Sequence, residues 1–151
     1  MQLTLSTDYA LRTLIYLGAR GDQLSTITEI AQAFDISKAH LMKVVNRLAR
    51  QGYVMAIRGK GGGIRLARAP DGISVGEVVR DSEENLAVIG CLEHAGFCRI
   101  ERCCILMGAL SEATSAFLRV LDGHTLADLL EPRAKLVRDL NIHSEESRSP
   151  P

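Results

Sequence analysis

Apolar residues recur at helical spacing in three successive stretches near the start of the chain. The first stretch predicts a helix over residues 7–19, with Ser6 or Thr7 as its N-terminal cap. Residues 26–29, Thr-Ile-Thr-Glu, form a capping-box pattern, which predicts that a second helix begins there. A third helix is expected to start after Ser37 as its cap and to stop at Gly52. Two short helices with a tight turn between them are typical of a helix-turn-helix.

The pattern beyond Gly52 changes from helical spacing to short strands and glycine. Residues 53–58 and 64–68 predict two strands, and the residues between them, Gly-Lys-Gly-Gly-Gly, predict a tight hairpin tip. A helix-turn-helix followed by such a hairpin is the arrangement of a winged helix. Residues 74–77, Ser-Val-Gly-Glu, then predict the start of a short helix that extends to about Asp81.

One long helix dominates the second half of the chain and is predicted to run from about Cys104 to Leu121. Its apolar residues are spaced alternately by four and three positions, which is the repeat of a helix-pairing seam. They are Leu106, Leu110, Ala113, Phe117 and Val120. We expect this helix to pair with a second subunit rather than to pack on the winged domain. Residues 125–128 predict the cap of a last short helix that ends at Pro132.

Composition is that of a soluble globular protein, with 46% apolar and 24% charged residues. No stretch approaches the roughly 18 uninterrupted apolar residues of a membrane span. Asp8, Arg12 and Arg20 interrupt the first stretch of the chain, so no signal-peptide core fits there. We therefore expect a cytoplasmic protein without a membrane partner.

The formal net charge of zero hides a strong asymmetry between the two halves of the chain. Residues 1–70 hold ten Lys and Arg against four Asp and Glu, a net charge of +6. Residues 71–151 hold eight against fourteen, a net charge of −6. Between Lys38 and Arg68 there are eight basic residues and no acidic one. This polarity favours a basic half that binds nucleic acid, against the alternative of a chance cluster on a solvated face.

The basic residues of the third helix and the hairpin are the predicted DNA contacts. In chain order, and with the polar residues Ser37 and His40 included, they are Ser37, Lys38, His40, Lys43, Arg47, Arg58, Lys60 and Arg65. The first three lie at the N-terminal end of the third helix, where side chains reach base edges in the major groove. The next two suit phosphate contacts, and the last three flank a tip that can approach a phosphate or a minor groove. The alternative is that they only solubilise an amphipathic helix.

The four cysteines all fall within 14 residues, at Cys91, Cys98, Cys103 and Cys104. A cytosolic chain rarely keeps structural disulfides, so clustered thiols indicate a metal or a redox function. Cys91, Cys98 and Cys104 are spaced so that three thiolates can converge on an iron–sulfur cluster from one loop. Zinc is the competing metal, but structural zinc usually has CxxC pairs, which this sequence lacks.

A site of three cysteines lacks one ligand. Cys103 is adjacent to Cys104, and neighbouring side chains at a helix start point in different directions, which favours a spare thiol at Cys103. The candidates for the fourth ligand are Asp8, Glu93, His94, Glu101, Cys103 and a water molecule. The alternatives to a metal site are that the cysteines are simply reduced and unliganded, or that their thiols sense oxidants by forming a disulfide.

Several motifs form a combined signature. They are residues 1–12, the wing Arg-Gly-Lys-Gly-Gly-Gly-Ile-Arg-Leu at 58–66, the segment Ile-Ser-Val-Gly-Glu-Val-Val-Arg at 73–80, and the three cysteines. Over about residues 1–131 the chain resembles the Rrf2 family of bacterial winged-helix regulators, most closely its nitric-oxide-sensing repressors. A sister branch has a histidine three residues after the last cysteine, where this chain has Met107, so that ligand does not carry over.

The resemblance implies a homodimer with one iron–sulfur cluster in each subunit and the long helices crossing at the interface. We expect this dimer to bind palindromic double-stranded DNA. The resemblance favours a 4Fe–4S cluster over a 2Fe–2S cluster, and repression that is relieved when nitric oxide attacks the cluster. Asp8 is predicted to reach the partner's cluster as fourth ligand, the alternative being that it only stabilises the helix N-terminus. Sensing of iron–sulfur supply or of oxidants is the alternative for the effector.

The predicted fold is mainly α with a small β wing. A winged helix-turn-helix domain spans residues 1–82, a cluster loop and dimerisation helix span 83–131, and a mobile tail spans 132–151. We predict a DNA-binding repressor and not an enzyme, because the sequence has no nucleotide-binding loop, no nucleophile–base pattern and little chain to enclose a substrate.

Overall fold

The computed structural model describes residues 2–93, 98–100 and 103–142. The helices within these ranges are α1 (Leu5–Arg20), α2 (Ile27–Phe34), α3 (Lys38–Arg50), α4 (Val75–Ser82), α5 (Gly90–Glu93), α6 (Ile105–Asp122), α7 (Leu126–Leu129) and α8 (Arg133–Asp139), with a 3₁₀ helix at Pro70–Gly72. Strands β1 (Val54–Ile57) and β2 (Gly63–Leu66) pair antiparallel. The predicted class, mainly α with a small β wing, is confirmed.

The helix-turn-helix is built from α2 and α3, which pack with α1 around one apolar core. The predicted capping box is present, because the Thr26 hydroxyl accepts from the Glu29 N–H at 3.2 Å and the Glu29 carboxylate accepts from the Thr26 N–H at 2.6 Å. Helix α2 ends at Asp35, which adopts a left-handed φ of 53°. Ser37 is the N-cap residue of α3, as predicted, but its side chain makes no capping hydrogen bond.

Helix α1 begins earlier than the sequence predicts. Its cap is Thr4, whose hydroxyl accepts from the Thr7 N–H at 3.3 Å, and not Ser6 or Thr7 as expected. Thr7 is fully buried, and its own hydroxyl donates to the Glu83 carboxylate at 2.5 Å. Thr7, which the sequence pattern suggested as a helix cap, therefore connects α1 to the end of α4.

The wing is attached to the core through its second strand. Ile57 pairs with Gly63 at the end of the hairpin, and Ser25 exchanges backbone hydrogen bonds with Ile64 at 2.9 and 2.8 Å. No side chain fits at Gly62 or Gly63, because a Cβ there would meet the carbonyl oxygens of Ile57 and Ser25 respectively. The hairpin thus leaves the core with its tip, residues 58–62, projecting beyond it.

Helix α6 lies against α4 and has no buried residue along its length. The contact includes a salt bridge between Arg80 and Asp122 and a close approach of the Asp122 side chain to Gly76. On the rest of its surface α6 leaves Ile105, Leu106 and Val120 exposed to 88%, 62% and 64%. Helix α6 therefore has an apolar face that the described part of the chain does not cover.

The last described helix corrects the prediction of a mobile tail from residue 132. Residues 133–139 form α8, which packs on α1, and the Arg133 Nε donates to the Ala19 carbonyl at 3.1 Å. Leu136 and Ile142 contribute to the same core as α1. The prediction fails because the burial that stabilises this helix comes from a segment far away in sequence. Residues 143–151 lie outside the described ranges.

Candidate nucleic-acid interface and cysteine loop

The N-terminal end of α3 presents the residues that were predicted to read bases. Ser37, Lys38 and His40 are all exposed, and Lys43 is exposed one turn further along. The opposite side of the helix is fixed in the core by Leu41 and other buried apolar residues. Because Ser37 makes no capping hydrogen bond, its hydroxyl is available at the end of the helix that would enter a groove.

The wing places its basic residues in two different settings. Arg58 and Lys60 are exposed at the tip, where the backbone of Gly59 and Gly61 has positive φ angles of 105° and 79°. Arg65 is half-buried on β2, and its Nε is enclosed without a hydrogen-bond partner in the described structure. The tip therefore offers two exposed cations to a phosphate, and Arg65 lies beneath them.

Among the predicted contacts, Arg47 is hydrogen bonded to another part of the protein. Its Nη2 donates to the backbone carbonyl of Asp81 at 2.6 Å, and the side chain is half-buried. Gln51 Nε2 donates to the same oxygen at 2.7 Å, and the Tyr53 hydroxyl donates to the Asp81 carboxylate at 2.6 Å. Sequence reasoning missed this group, because its members lie about thirty positions apart and no local pattern links them.

The two adjacent cysteines have different surroundings. Cys104 is the N-cap of α6, where its half-buried sulfur accepts from the Met107 N–H at 3.4 Å. Cys103 is exposed, and its thiol donates to the Ile100 carbonyl at 3.4 Å. The Cys104 sulfur therefore accepts a hydrogen bond at a helix N-terminus, a position that favours negative charge. The Cys103 thiol donates a hydrogen bond instead.

The remaining candidate ligands can be located only in part. Cys98 is half-buried and carries a free thiol. The side chains of Cys91 and Glu93, and all of His94 and Glu101, lie outside what the structure describes. Among the described residues, no group of three His, Cys, Asp or Glu side chains converges as a metal site would require.

Asp8 lies in the first turn of α1, about two-fifths exposed, and accepts from the Arg12 Nε at 2.9 Å. The Arg12 guanidinium lies 5.7 Å from the ring centroid of Phe34 on α2. Asp8 is thus bonded to a residue of its own helix that contacts α2, and its carboxylate is partly exposed. The described structure does not bring it into a group with the cysteines.

Comparison with known proteins identifies the family. Residues 3–132 match the Rrf2 family, described as an iron-dependent transcriptional regulator. The chain belongs to the Rrf2 family. The predictions of a family member and of a transcription regulator are thereby confirmed.

Two curated relatives and one solved structure show how closely the chain follows this Rrf2 pattern. It is 53% identical over 138 residues to the HTH-type transcriptional regulator NsrR of Geobacillus kaustophilus, covering 90% of this chain and 94% of that protein. It is 46% identical over 144 residues to NsrR of Bacillus subtilis, covering 94% and 99%. The structure of CymR (YrzC), the global cysteine regulator of B. subtilis, matches with a TM-score of 0.68 at 27% identity, covering 85% and 95%.

These Rrf2 relatives are transcriptional regulators, in agreement with the expectation that the chain is not an enzyme. No helix in the described part of the chain is long and apolar enough to cross a lipid bilayer. The donor set also suits the iron dependence in the family's description. Thiolate sulfur is the ligand that iron–sulfur clusters take, and Cys98 and Cys104 both carry free, half-buried sulfurs.

Proposed function

We propose that this Rrf2 regulator is a homodimeric repressor that releases a palindromic operator when nitric oxide modifies an iron–sulfur cluster. The observation that carries the proposal is the position of Cys104, which ends the cysteine loop and caps α6. A change in the loop therefore acts directly on the helix that has an uncovered apolar side. The likeness to two NsrR proteins over most of the chain supports nitric oxide as the effector.

Cys91, Cys98 and Cys104 would hold the cluster, and Cys103 would stay a spare thiol. The opposite hydrogen-bonding roles of Cys103 and Cys104 support this division. Asp8 of the partner subunit is the proposed fourth ligand, because its carboxylate is at the surface of α1 and partly exposed. We favour a 4Fe–4S cluster over a 2Fe–2S cluster.

When held by Cys91, Cys98, Cys104 and Asp8 of the partner subunit, the cluster would supply iron as the target of nitric oxide, and the carboxylate would be a weaker ligand than the softer thiolates. The chain's own residues then transmit the change. Cys104 fixes the start of α6, and α6 contacts α4 through Arg80 and Asp122. Helix α4 in turn bonds to α3 through the Asp81 carbonyl. A shift of the two α3 helices by a few ångströms from the roughly 34 Å half-site spacing would cost much of the specific affinity.

On the DNA, Ser37, Lys38 and His40 would read bases from the exposed end of α3. Lys43 and the wing cations Arg58, Lys60 and Arg65 would contact phosphates. The support for this assignment is that these residues lie in a segment without an acidic residue and that all of them except the half-buried Arg65 are exposed. Affinity should therefore depend steeply on salt, since each phosphate contact releases counterions.

Absorption spectra and mobility-shift titrations of protein purified without oxygen test the proposal. We expect visible absorbance from bound cluster, tight operator binding by the loaded protein, and release by nitric oxide with the dimer intact. Equal operator affinity of loaded and cluster-free protein would show that the cluster is not the switch.

A second candidate is a cluster-free thiol sensor, which the exposed thiol of Cys103 beside Cys104 favours. Colourless protein that loses DNA on oxidation would support it instead.

A further inference from the structure

The last turn of α4 is bonded to α3 and to the base of the wing through a single residue. The Asp81 carbonyl accepts from Arg47 and Gln51, at 2.6 and 2.7 Å, and the Asp81 carboxylate accepts from the Tyr53 hydroxyl at 2.6 Å. These four residues are called the Asp81 junction below. Arg47 lies on α3, Gln51 directly follows it, and Tyr53 directly precedes β1 of the wing. Asp81 is therefore hydrogen bonded to both proposed DNA-binding elements.

Burial makes the junction stiff. Tyr53 is fully buried, and the Arg68 guanidinium lies 4.4 Å from its ring centroid while pairing with Glu77 at 3.4 Å. Burial raises the pKa of the Tyr53 hydroxyl, and the hydrogen bond to Asp81 raises it further, so the hydroxyl stays protonated and donates. Removing a buried hydrogen-bond partner costs more than removing an exposed one, because the group left behind is desolvated.

The other side of α4 contacts the two elements that the proposed switch would move. Arg80 pairs with Asp122 near the end of α6. Glu83, two residues after Asp81, accepts hydrogen bonds from the start of α1, where Thr7 lies one residue before Asp8. The end of α4 is thus bonded to α6 through Arg80, to α1 through Glu83 and to α3 through Asp81, while α1 also packs directly on α3.

We propose that Arg47, Gln51 and Tyr53 are positioning residues, which set the angle of α3 and the wing against α4, and that Arg47 contacts no phosphate. This inference rests on the operator-binding part of the proposed function. It assigns Arg47 a role different from that of its neighbour Lys43, although both are basic and lie one turn apart on α3. The reason is geometric: the Arg47 guanidinium is hydrogen bonded within the protein, whereas Lys43 is exposed.

The test measures affinity for two duplexes over a series of salt concentrations. One duplex is selected by the wild-type full-length protein from a random pool, and the other is a scrambled sequence of the same composition. For Arg47→Met we expect affinity for the selected duplex to fall about tenfold, comparable to the loss of one base contact, because α3 is then held less firmly against α4. Affinity for the scrambled duplex and the slope of log affinity against log salt should stay at the wild-type values.

Lys43→Met is the matched control. Without the Lys43 ammonium, binding to both duplexes should weaken alike, and the salt slope should flatten by about 0.9 for each phosphate that is no longer neutralised. Gln51→Met provides a second variant without any change of charge, and it should reproduce the loss of sequence preference. The double variant Arg47→Met/Gln51→Met should fall short of the summed single effects, because both side chains donate to one oxygen.

A flatter salt slope in Arg47→Met, with equal loss on both duplexes, would overturn the inference and assign Arg47 to a phosphate. Equal loss on both duplexes with an unchanged slope and a lower thermal unfolding midpoint would also overturn it, because the effect would then be lost folded protein. Wild-type protein that enriches no sequence from the pool would instead contradict operator binding itself, and the inference with it.

Discussion

At the scale of single residues, the two adjacent cysteines are chemically distinct although the sequence writes them as a pair. Cys104 accepts a backbone hydrogen bond at the start of α6, and Cys103 donates one to Ile100. We predict that Cys104→Ala removes the visible absorbance of protein purified without oxygen, whereas Cys103→Ala keeps it. The spectra, together with iron and sulfide content per chain, provide the measurement. Colourless Cys103→Ala protein would contradict the proposed ligand set.

Glycine at position 63 is required by packing rather than by backbone angle. A Cβ there would lie 2.8 Å from the Ser25 carbonyl oxygen, at the point where the wing joins the core. Overpacking of this kind costs about 1–3 kcal/mol, so we predict that Gly63→Ala lowers the free energy of unfolding by that amount. Gly72→Ala is the control, because nothing lies within 4 Å of its Cβ position. Urea unfolding measures the stability of both variants, and equal stability of the two would contradict the prediction.

At the scale of elements, the joint between α1 and α4 predicts a dependence of stability on acid. Burial opposes ionisation of Glu83, but hydrogen bonds from Thr7 and Thr4 outweigh it, so the pKa of Glu83 lies below its ordinary value of 4.5. A carboxylate with a lowered folded pKa stabilises the protein above the unfolded pKa. That stability is lost as the pH falls from about 5 through the folded pKa.

Thr7→Val removes one of these donors while keeping the shape of the side chain. We predict that it lowers the free energy of unfolding at pH 7 by about 1–2 kcal/mol, and that the difference from the wild type shrinks as the pH falls below 4.5. Urea unfolding over a pH series measures it. Glu84→Gln, at the exposed neighbouring position, should leave the pH profile unchanged. A difference that persists at low pH would mean that Thr7 acts through packing alone.

The elements that the sequence predicted are those stabilised by local signals. The Thr26 capping box and the glycine-rich wing tip were visible in neighbouring residues, and both are present in the structure. Helix α8 and the inward direction of Arg47 were not visible. Their determinants are the Ala19 carbonyl for α8 and the Asp81 carbonyl for Arg47, and both acceptors are distant in sequence. The same limit applies to the fourth ligand, since no local pattern links Asp8 to the cysteines and the described residues bring it into no group with them.

At the scale of the whole molecule, the charge asymmetry separates the DNA-binding elements from the cysteine loop and α6. The net charge of +6 in residues 1–70 lies in the part that holds α3 and the wing. The net charge of −6 in residues 71–151 lies in the part that holds the cysteine loop and α6. An acidic half is repelled by the DNA phosphates, which favours one docking orientation and leaves the cysteine loop away from most of the duplex.

A palindromic operator needs two copies of the chain, and the proposed function pairs them through α6. Leu106 and Val120, exposed to 62% and 64%, belong to the seam of alternating four- and three-residue spacings. We predict that Leu106→Glu yields a monomer, because it places a charge in an interface that must be dry. Arg119→Glu, next to Val120 but outside the seam, is the control and should stay dimeric. Sedimentation equilibrium distinguishes the two states.

The same variants connect assembly to DNA binding. A monomer covers one half-site and forfeits the second set of contacts one helical turn away, so Leu106→Glu should lose most of its preference for the palindrome over a single half-site. Arg119→Glu should keep that preference. If Leu106→Glu remained a dimer that bound the palindrome as tightly as the wild type, the exposed side of α6 would not be the interface, and coupling from Cys104 to the spacing of the two α3 helices would need another path.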